Sequence, residues 1–144
     1  MKDYSKLNVY LSNLAVLNVN FHNLHWNVEG ERFVEVHEYI EERYDDFFDQ
    51  YDEVAELLKM QGQKPLVKLT DYLNNATIKE LDKDKFTCLE AIQVAYDSIH
   101  EMKELATEIR NEADAAGNFS VVGVFEDYVA NFSKHLWFMK SMLA

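Results

Sequence analysis

The chain has 144 residues and carries 26 acidic against 14 basic side chains, a formal net charge of −12. This length allows one domain over residues 1–144 with a real hydrophobic core, and only four Gly and one Pro favour long helices over a turn-rich or disordered chain. An acidic surface repels nucleic-acid phosphates and attracts cations. The single cysteine, Cys88, excludes a disulfide framework and a cysteine-based zinc site. Without a membrane-length apolar run or a signal-peptide pattern, we expect a cytoplasmic protein that does not contact membranes.

The first half of the chain contains two segments in which apolar residues recur at helical spacing. The first covers residues 7–28 and should end near Gly30. The second covers residues 33–58 and should end at Gly62. The short interval between them predicts two neighbouring antiparallel helices.

The second half repeats the pattern over residues 88–113, ending at Gly117, and over residues 125–143. A long connection precedes these helices, and its residues 66–73 are expected to form a short extra helix. Thr77-x-x-Glu80 matches a capping box and predicts a helix start. Four helices with one long crossover predict an all-α, four-helix bundle of ferritin-like topology; a plain up-down bundle is the alternative.

Two histidines flank the first predicted turn. His25 and His37 are placed symmetrically about residue 31, so a chain reversal near Gly30 brings the two imidazoles level on adjacent helices. The second helix carries Glu41, Asp52 and Glu56 in addition. At 100° per residue, these three carboxylates and His37 fall within an arc of about 100° at the edge of the apolar stripe. Imidazole and carboxylate together suit iron, manganese or zinc, and a carboxylate-rich set favours the harder ions.

One metal ion cannot touch all four side chains of this stripe, because His37 and Glu56 lie about 28 Å apart along a helix. However, the four positions are symmetric about residues 46 and 47. Two copies of the helix packed antiparallel about a two-fold axis there would align His37 with Glu56 and Glu41 with Asp52. Such an interface creates two identical sites. The spacing thus predicts metal sites shared between subunits.

A site built within one chain is not expected. Di-iron centres inside a four-helix bundle use Glu-x-x-His from two helices. No Glu-x-x-His occurs in this chain, and the nearest match, Asp97-Ser98-Ile99-His100, occurs once.

The residues around the first turn and along the second helix resemble the signature of the Dps mini-ferritins in order and spacing. The matching stretches are His25-Trp26-Asn27-Val28-x-Gly30-x-x-Phe33-x-x-x-His37 and Asp52-x-x-Ala55-Glu56. The stretch Lys134-His135-x-Trp137-x-Met139 is similar to the last helix of the family. The resemblance covers nearly the whole chain.

This resemblance implies a dodecameric hollow cage with ferroxidase sites between subunits. His25 and His37 from one subunit, with Asp52 and Glu56 from its neighbour, are then the metal-binding and catalytic residues. Glu41, where the family more often has Asp, is a further expected metal ligand. The family uses hydrogen peroxide more than dioxygen as the oxidant.

Three further expectations concern residues around this site. Trp26 would lie beside the metal and be oxidised in place of more damaging targets, or it is a core aromatic. His22, one turn before His25, either supports a metal ligand from behind or is simply exposed, and the second is expected. The inner wall that receives Fe(III) is expected to include Glu38, Glu42 and Asp45.

We therefore expect an enzyme that oxidises Fe(II) and stores Fe(III), a ferroxidase-type oxidoreductase protecting against oxidative stress, with iron as its metal and copies of itself as partners. The alternative is a nucleoid-associated, DNA-protecting structural protein that binds metal incidentally. The basic tails typical of DNA-binding members are not found, so DNA binding is not expected. A third interpretation is a plain helical interaction module.

Overall fold

The computed structural model describes residues 1–144 and is almost entirely helical. There are four long helices, and the connection between the second and the third of them contains one short helix. The helices are α1 (Ser5–Asn27), α2 (Phe33–Met60), α3 (Leu69–Asn75), α4 (Cys88–Ala115) and α5 (Phe119–Leu143). The predicted long helices and the short extra helix are confirmed, and α2 and α4 end just before Gly62 and Gly117 as expected.

The crossover from α2 to α4 travels the length of the bundle, which rules out the plain up-down alternative. Where the crossover reaches α4, two short strands pair in parallel: β1 (Val28–Glu29), in the turn between α1 and α2, and β2 (Phe86–Thr87), directly before α4. The start of α4 is therefore brought beside the turn between α1 and α2. A core of 33 buried hydrophobic residues unites the helices and the crossover.

Asparagine side chains of α1 hold the crossover in place. Their amides exchange hydrogen bonds with the backbone of residues 64–83, and the partners advance along the crossover as the asparagines advance along α1. The four asparagines are Asn8, Asn13, Asn20 and Asn23. Asn13 and Asn20 are buried, so their amides would be costly without these partners. The crossover thus runs parallel to α1 in a defined register.

The capping box expected at Thr77 is wrong. No helix begins there, because the Thr77 hydroxyl donates to Glu101 and accepts a hydrogen bond from Asn13. The helix start lies at Thr87, whose hydroxyl accepts from the backbone N–H of Glu90 while the Glu90 carboxylate accepts from the backbone N–H of Thr87. The same four-residue pattern occurs at both positions, and only the second has a free helix N-terminus to satisfy.

The turn between α1 and α2 depends on Gly30. Its φ of +139° is a conformation that other residues rarely adopt, and a Cβ atom there would lie 3.2 Å from the Cys88 sulfur. The turn sets the register of α1 against α2, on which the two histidines depend. None of the helices combines the length and apolarity needed to cross a membrane.

Candidate metal centre

His25 in the last turn of α1 and His37 in the second turn of α2 lie side by side. Their rings stack with centroids 3.6 Å apart and planes 9° from parallel. The expectation that the two imidazoles come level across the turn is confirmed.

Reciprocal hydrogen bonds fix both rings. His25 Nδ1 lies 2.7 Å from the backbone oxygen of His37, and His37 Nδ1 lies 2.6 Å from the backbone oxygen of His25. A carbonyl oxygen only accepts, so each Nδ1 carries the proton and donates it. In the neutral form of each ring, Nε2 is then the nitrogen that has the free lone pair. A metal-binding histidine needs this tautomer, and a hydrogen bond from the other nitrogen usually fixes it.

Aromatic side chains enclose the pair. Phe33 stacks on His37 with centroids 4.9 Å apart, and Tyr44 meets His25 edge to face at 5.3 Å. His25 is only 6% exposed, whereas His37 is half-buried. The two rings are thus held in place from both sides, and the His37 ring stays partly exposed.

Glu41 is the one predicted carboxylate that reaches the histidines within the same chain. Its Oε1 lies 3.7 Å from His25 Nε2 and accepts a hydrogen bond from the Tyr44 hydroxyl at 3.3 Å. The carboxylate is about half exposed at the rim of the pair. A negative charge beside a free imidazole nitrogen favours a cation at this position.

Asp52 and Glu56 are not brought to the histidines. Both are exposed on the second half of α2, and neither forms an ion pair or a side-chain hydrogen bond within the chain. In the single chain, no three His, Cys, Asp or Glu side chains are placed so that they could hold one metal ion. One subunit alone therefore presents two separate sets of candidate ligands.

An exposed apolar hollow lies between these two sets. Its most exposed members are Phe48 in the middle of α2, at 68%, Val19 on α1 and Leu69 on α3. Tyr51 and Tyr72 line its floor and are hydrogen-bonded to each other. Exposed apolar surface of this kind is typical of a subunit interface. The hollow is next to residues 46 and 47, where the sequence predicts a two-fold axis.

Trp26 and His22 differ from the simplest expectations. Trp26 is 67% exposed, so the core interpretation of this residue is wrong. His22 is half-buried and not simply exposed: its ring stacks on Tyr44 with centroids 3.9 Å apart, and its Nδ1 donates to the backbone oxygen of Asn18. Through Tyr44, His22 is connected to both His25 and Glu41.

A polar cluster between α2 and α5 has no counterpart in the sequence analysis. Tyr39 is hydrogen-bonded to His135 Nδ1 at 2.9 Å, and the Arg43 guanidinium lies over the Tyr39 ring. Burial, together with the positive charges of Arg43 and Lys134, lowers the pKa of His135 to about 4. This histidine stays neutral near pH 7. Tyr39 and His135 are 96 positions apart in the sequence, so no local motif could have predicted their contact.

Further along the same groove, four carboxylates of α2 and α5 surround one depression. They are Asp46, Asp49, Glu53 and Asp127. Burial raises the pKa of Asp46, and the neighbouring carboxylates add to this effect while Arg43 opposes it. Glu38, Glu42 and Asp45, the residues expected for an inner wall, are exposed along α2 and do not line this depression.

Three comparisons with known proteins identify the family and the fold. Residues 4–144 match the model of the ferritin-like domain family. The chain is 30% identical to the "DNA protection during starvation protein" of Helicobacter pylori over the full length of both. The crystal structure of Helicobacter cinaedi CAIP superimposes with a TM-score of 0.94 at 34% identity, covering 96% of this chain and 97% of that one.

A third relative is described in terms of its metal chemistry. The Dps protein of Vibrio cholerae O1, called a member of a broad superfamily of ferritin-like diiron-carboxylate proteins, superimposes with a TM-score of 0.92 at 28% identity. The match covers 96% of this chain and 87% of that one. On the whole-length family match, the shared helical topology and these relatives, the chain belongs to the ferritin-like domain family and is a mini-ferritin of the Dps type.

Proposed function

We propose that this protein is a ferroxidase that oxidises Fe(II) at sites shared between two-fold-related subunits and stores the Fe(III) as mineral inside a homo-oligomeric cage. The observation that carries the proposal is the stacked pair His25 and His37. Both Nδ1 atoms are occupied by backbone oxygens, and both Nε2 atoms are free. Fe(II) is the substrate in this proposal and Fe(III) is the stored cargo.

Each complete site combines side chains from two subunits. His25, His37 and Glu41 come from one chain, and Asp52 and Glu56 of the partner subunit complete the set. The support is twofold: the two sets are far apart in one chain, and exposed apolar surface lies at the middle of α2 between them. Burial of Phe48, Val19 and Leu69 between two copies would stabilise the dimer by the hydrophobic effect.

The mixed donor set suits an oxidation that ends in Fe(III). Imidazole nitrogens bind Fe(II) well, whereas carboxylate oxygens favour the harder Fe(III). Two Fe(II) ions at one site each give up one electron. One hydrogen peroxide molecule accepts both electrons, its O–O bond breaks, and two protons from solvent complete two water molecules. This stoichiometry consumes Fe(II) and peroxide together, which prevents the one-electron reaction that releases hydroxyl radicals.

The acidic side chains of the surface are candidate ligands for the ferric product. With a net charge of −12, the chain attracts iron cations, and the depression lined by Asp46, Asp49, Glu53 and Asp127 offers clustered oxygen ligands for Fe(III). We propose this depression, with the exposed carboxylates Glu38, Glu42 and Asp45, as mineral-facing wall. The resemblance to Dps proteins implies a dodecamer.

An anaerobic titration followed by peroxide addition tests the proposal. Iron-free assembled protein should bind Fe(II) saturably at two per shared site, and peroxide should then produce ferric absorbance at two Fe per peroxide consumed. The product should co-sediment with the assembled protein. Fe(II) oxidation at the rate measured without protein, or ferric iron that precipitates outside the assembly, would contradict it. Sedimentation of the same sample excludes the plain helical module if the protein is larger than a dimer.

A nucleoid-associated role is the second candidate, favoured by the name of the Helicobacter pylori relative. The charge of this chain opposes it, because phosphate contacts made by basic residues dominate DNA affinity. We predict no binding to duplex DNA near physiological salt in a gel-shift assay. A complex that forms and weakens steeply with added salt would reveal a basic surface and support the alternative.

A further inference from the structure

Of the three candidate ligands that lie together in one chain, His25, His37 and Glu41, Glu41 is the most exposed. Its side chain is half exposed, and a glutamate has one more rotatable bond than an aspartate. A longer side chain samples more rotamers, and ordering it costs conformational entropy. A glutamate at this position therefore needs a neighbour that holds its carboxylate toward the histidines.

Tyr44 provides such a neighbour. It lies one turn after Glu41 on α2, so the two side chains share a face of the helix. Its hydroxyl donates to Glu41 Oε1 at 3.3 Å, and that same oxygen is the one 3.7 Å from His25 Nε2. A carboxylate oxygen has two lone pairs, so Oε1 can accept from Tyr44 while the carboxylate also binds a cation.

The Tyr44 ring is itself fixed from two sides. Its face stacks on His22 at 3.9 Å and 22°, and it meets His25 edge to face at 88°. His22 is anchored by its hydrogen bond to the backbone of Asn18. A hydroxyl carried by a ring that cannot turn away is a preorganised donor, which lowers the entropy cost of ordering its acceptor.

We infer that Tyr44 is a positioning residue of the metal centre: its hydroxyl orients the Glu41 carboxylate so that this chain can hold a metal ion between Glu41 and His25. The inference deepens the proposed function and rests on it. Tyr44 does not touch the metal ion in this account, and it acts only through Glu41. His22 contributes by holding the ring.

The test uses Co(II), which binds similar ligands without being oxidised by the protein and reports its coordination through visible absorption. Assembled, metal-free protein is titrated anaerobically, comparing wild type with Tyr44→Phe. The phenylalanine keeps the ring contacts with His22 and His25 and removes only the hydroxyl. We expect roughly three- to tenfold weaker Co(II) binding, the range that corresponds to the net contribution of one ordinary hydrogen bond, since this one is long and partly exposed. The absorption of the bound ion should also change.

Tyr96→Phe is the matched control, because Tyr96 is a half-buried helix tyrosine that stacks on His100 at a similar angle of 21°, away from the histidine pair. It should bind Co(II) like the wild type. Thermal unfolding of both variants should match the wild type, which separates positioning from a loss of fold.

Glu41→Ala completes the design. If Tyr44 acts through Glu41, Tyr44→Phe should have no further effect in the Glu41→Ala background, whereas two independent roles would add. Wild-type affinity in Tyr44→Phe, or a full additional loss in the double variant, would overturn the inference. A variant with His25→Ala and His37→Ala should lose Co(II) binding. If it binds like the wild type, the proposed centre itself is wrong, which is a separate outcome.

Discussion

Two regions of the molecule contain a buried histidine, and they differ in what surrounds the ring. His25 is 6% exposed and His135 is 8% exposed. Next to His25 Nε2 lies the carboxylate of Glu41, whereas His135 is flanked by the positive charges of Arg43 and Lys134. Burial is therefore almost equal, and the sign of the neighbouring charge is opposite.

This difference distinguishes a candidate ligand from a structural histidine. A cation is attracted to the Glu41 side of His25, and the nitrogen that faces it carries a lone pair. At His135 the two positive groups repel a cation. In both histidines Nδ1 is hydrogen-bonded, so neither burial nor this bond tells their roles apart. The sign of the nearest charge separates them.

The largest expected effect comes from removing the histidine pair. His25→Ala with His37→Ala should lower the initial rate of Fe(II) oxidation by at least about a hundredfold. Removing a group that merely orients a metal ligand already lowers metal affinity or activity roughly 10- to 100-fold, and here two ligands themselves are removed. Size-exclusion chromatography should give the wild-type assembly. His135→Gln is the matched control and should oxidise Fe(II) at the wild-type rate. Equal losses in the two variants would erase the distinction between the two regions.

Mixed assemblies test whether the histidine pair is completed by another subunit. One variant lacks His25 and His37, and the other lacks Asp52 and Glu56; each alone should be inactive. Co-refolded in equal amounts, they should recover about a quarter of wild-type activity, since half of the dimers are mixed and each mixed dimer has one intact site of two. Sites built within one chain would recover nothing, and an inactive mixture proven to contain mixed dimers would exclude the shared site.

The last expected effect concerns the pH dependence of stability near His135 and leaves the metal centre unchanged. Its pKa is lowered from 6.5 to about 4 in the folded chain, so between these values the unfolded chain takes up a proton that the folded chain does not. Stability should therefore fall as the pH drops through this window, by up to roughly 3 kcal/mol per subunit. Above pH 6.5 both states are neutral and this loss is absent.

His135→Gln removes the titrating group and keeps a side chain that can hydrogen-bond to Tyr39. Thermal midpoints of the two proteins, measured from pH 7.5 to 4 on metal-free samples, should run in parallel above pH 6.5 and separate below it, with the wild type falling faster. Parallel curves over the whole range would mean that Arg43 and burial do not hold this ring neutral.

Much of the fold could be predicted because its signals are local. Apolar periodicity and glycines define the helices, and the symmetric spacing of His25 and His37 about the turn is enough to bring their rings level. The error at Thr77 arose because a capping box is a four-residue pattern, and its sequence does not say whether a helix follows. The strands β1 and β2 are too short for any periodicity to predict them.

The parts that sequence reasoning missed depend on residues distant in the chain. Tyr39 and His135 meet only because α2 and α5 pack together, and neither carries a motif that names the other. The positioning role proposed for Tyr44 could not be predicted either, because an aromatic residue within the helical repeat of apolar residues is usually part of the core. Its stacking on His22 becomes visible only when α1 and α2 are placed in register, whereas its hydrogen bond to Glu41 joins side chains one turn apart on α2.

The asparagines of α1 have a consequence for how the chain tolerates change. Because their amides bond to the backbone of the crossover, α1 specifies much of the route of that connection, while the buried crossover side chains Tyr72, Ile78 and Phe86 anchor it to the core. Substitutions at exposed positions of the connection should be mild wherever the backbone conformation allows them. A single change at Asn13 or Asn20, buried inside a regular helix, should release a long stretch of chain at once. The conformation of this connection therefore depends on side chains of a neighbouring helix as well as on its own residues.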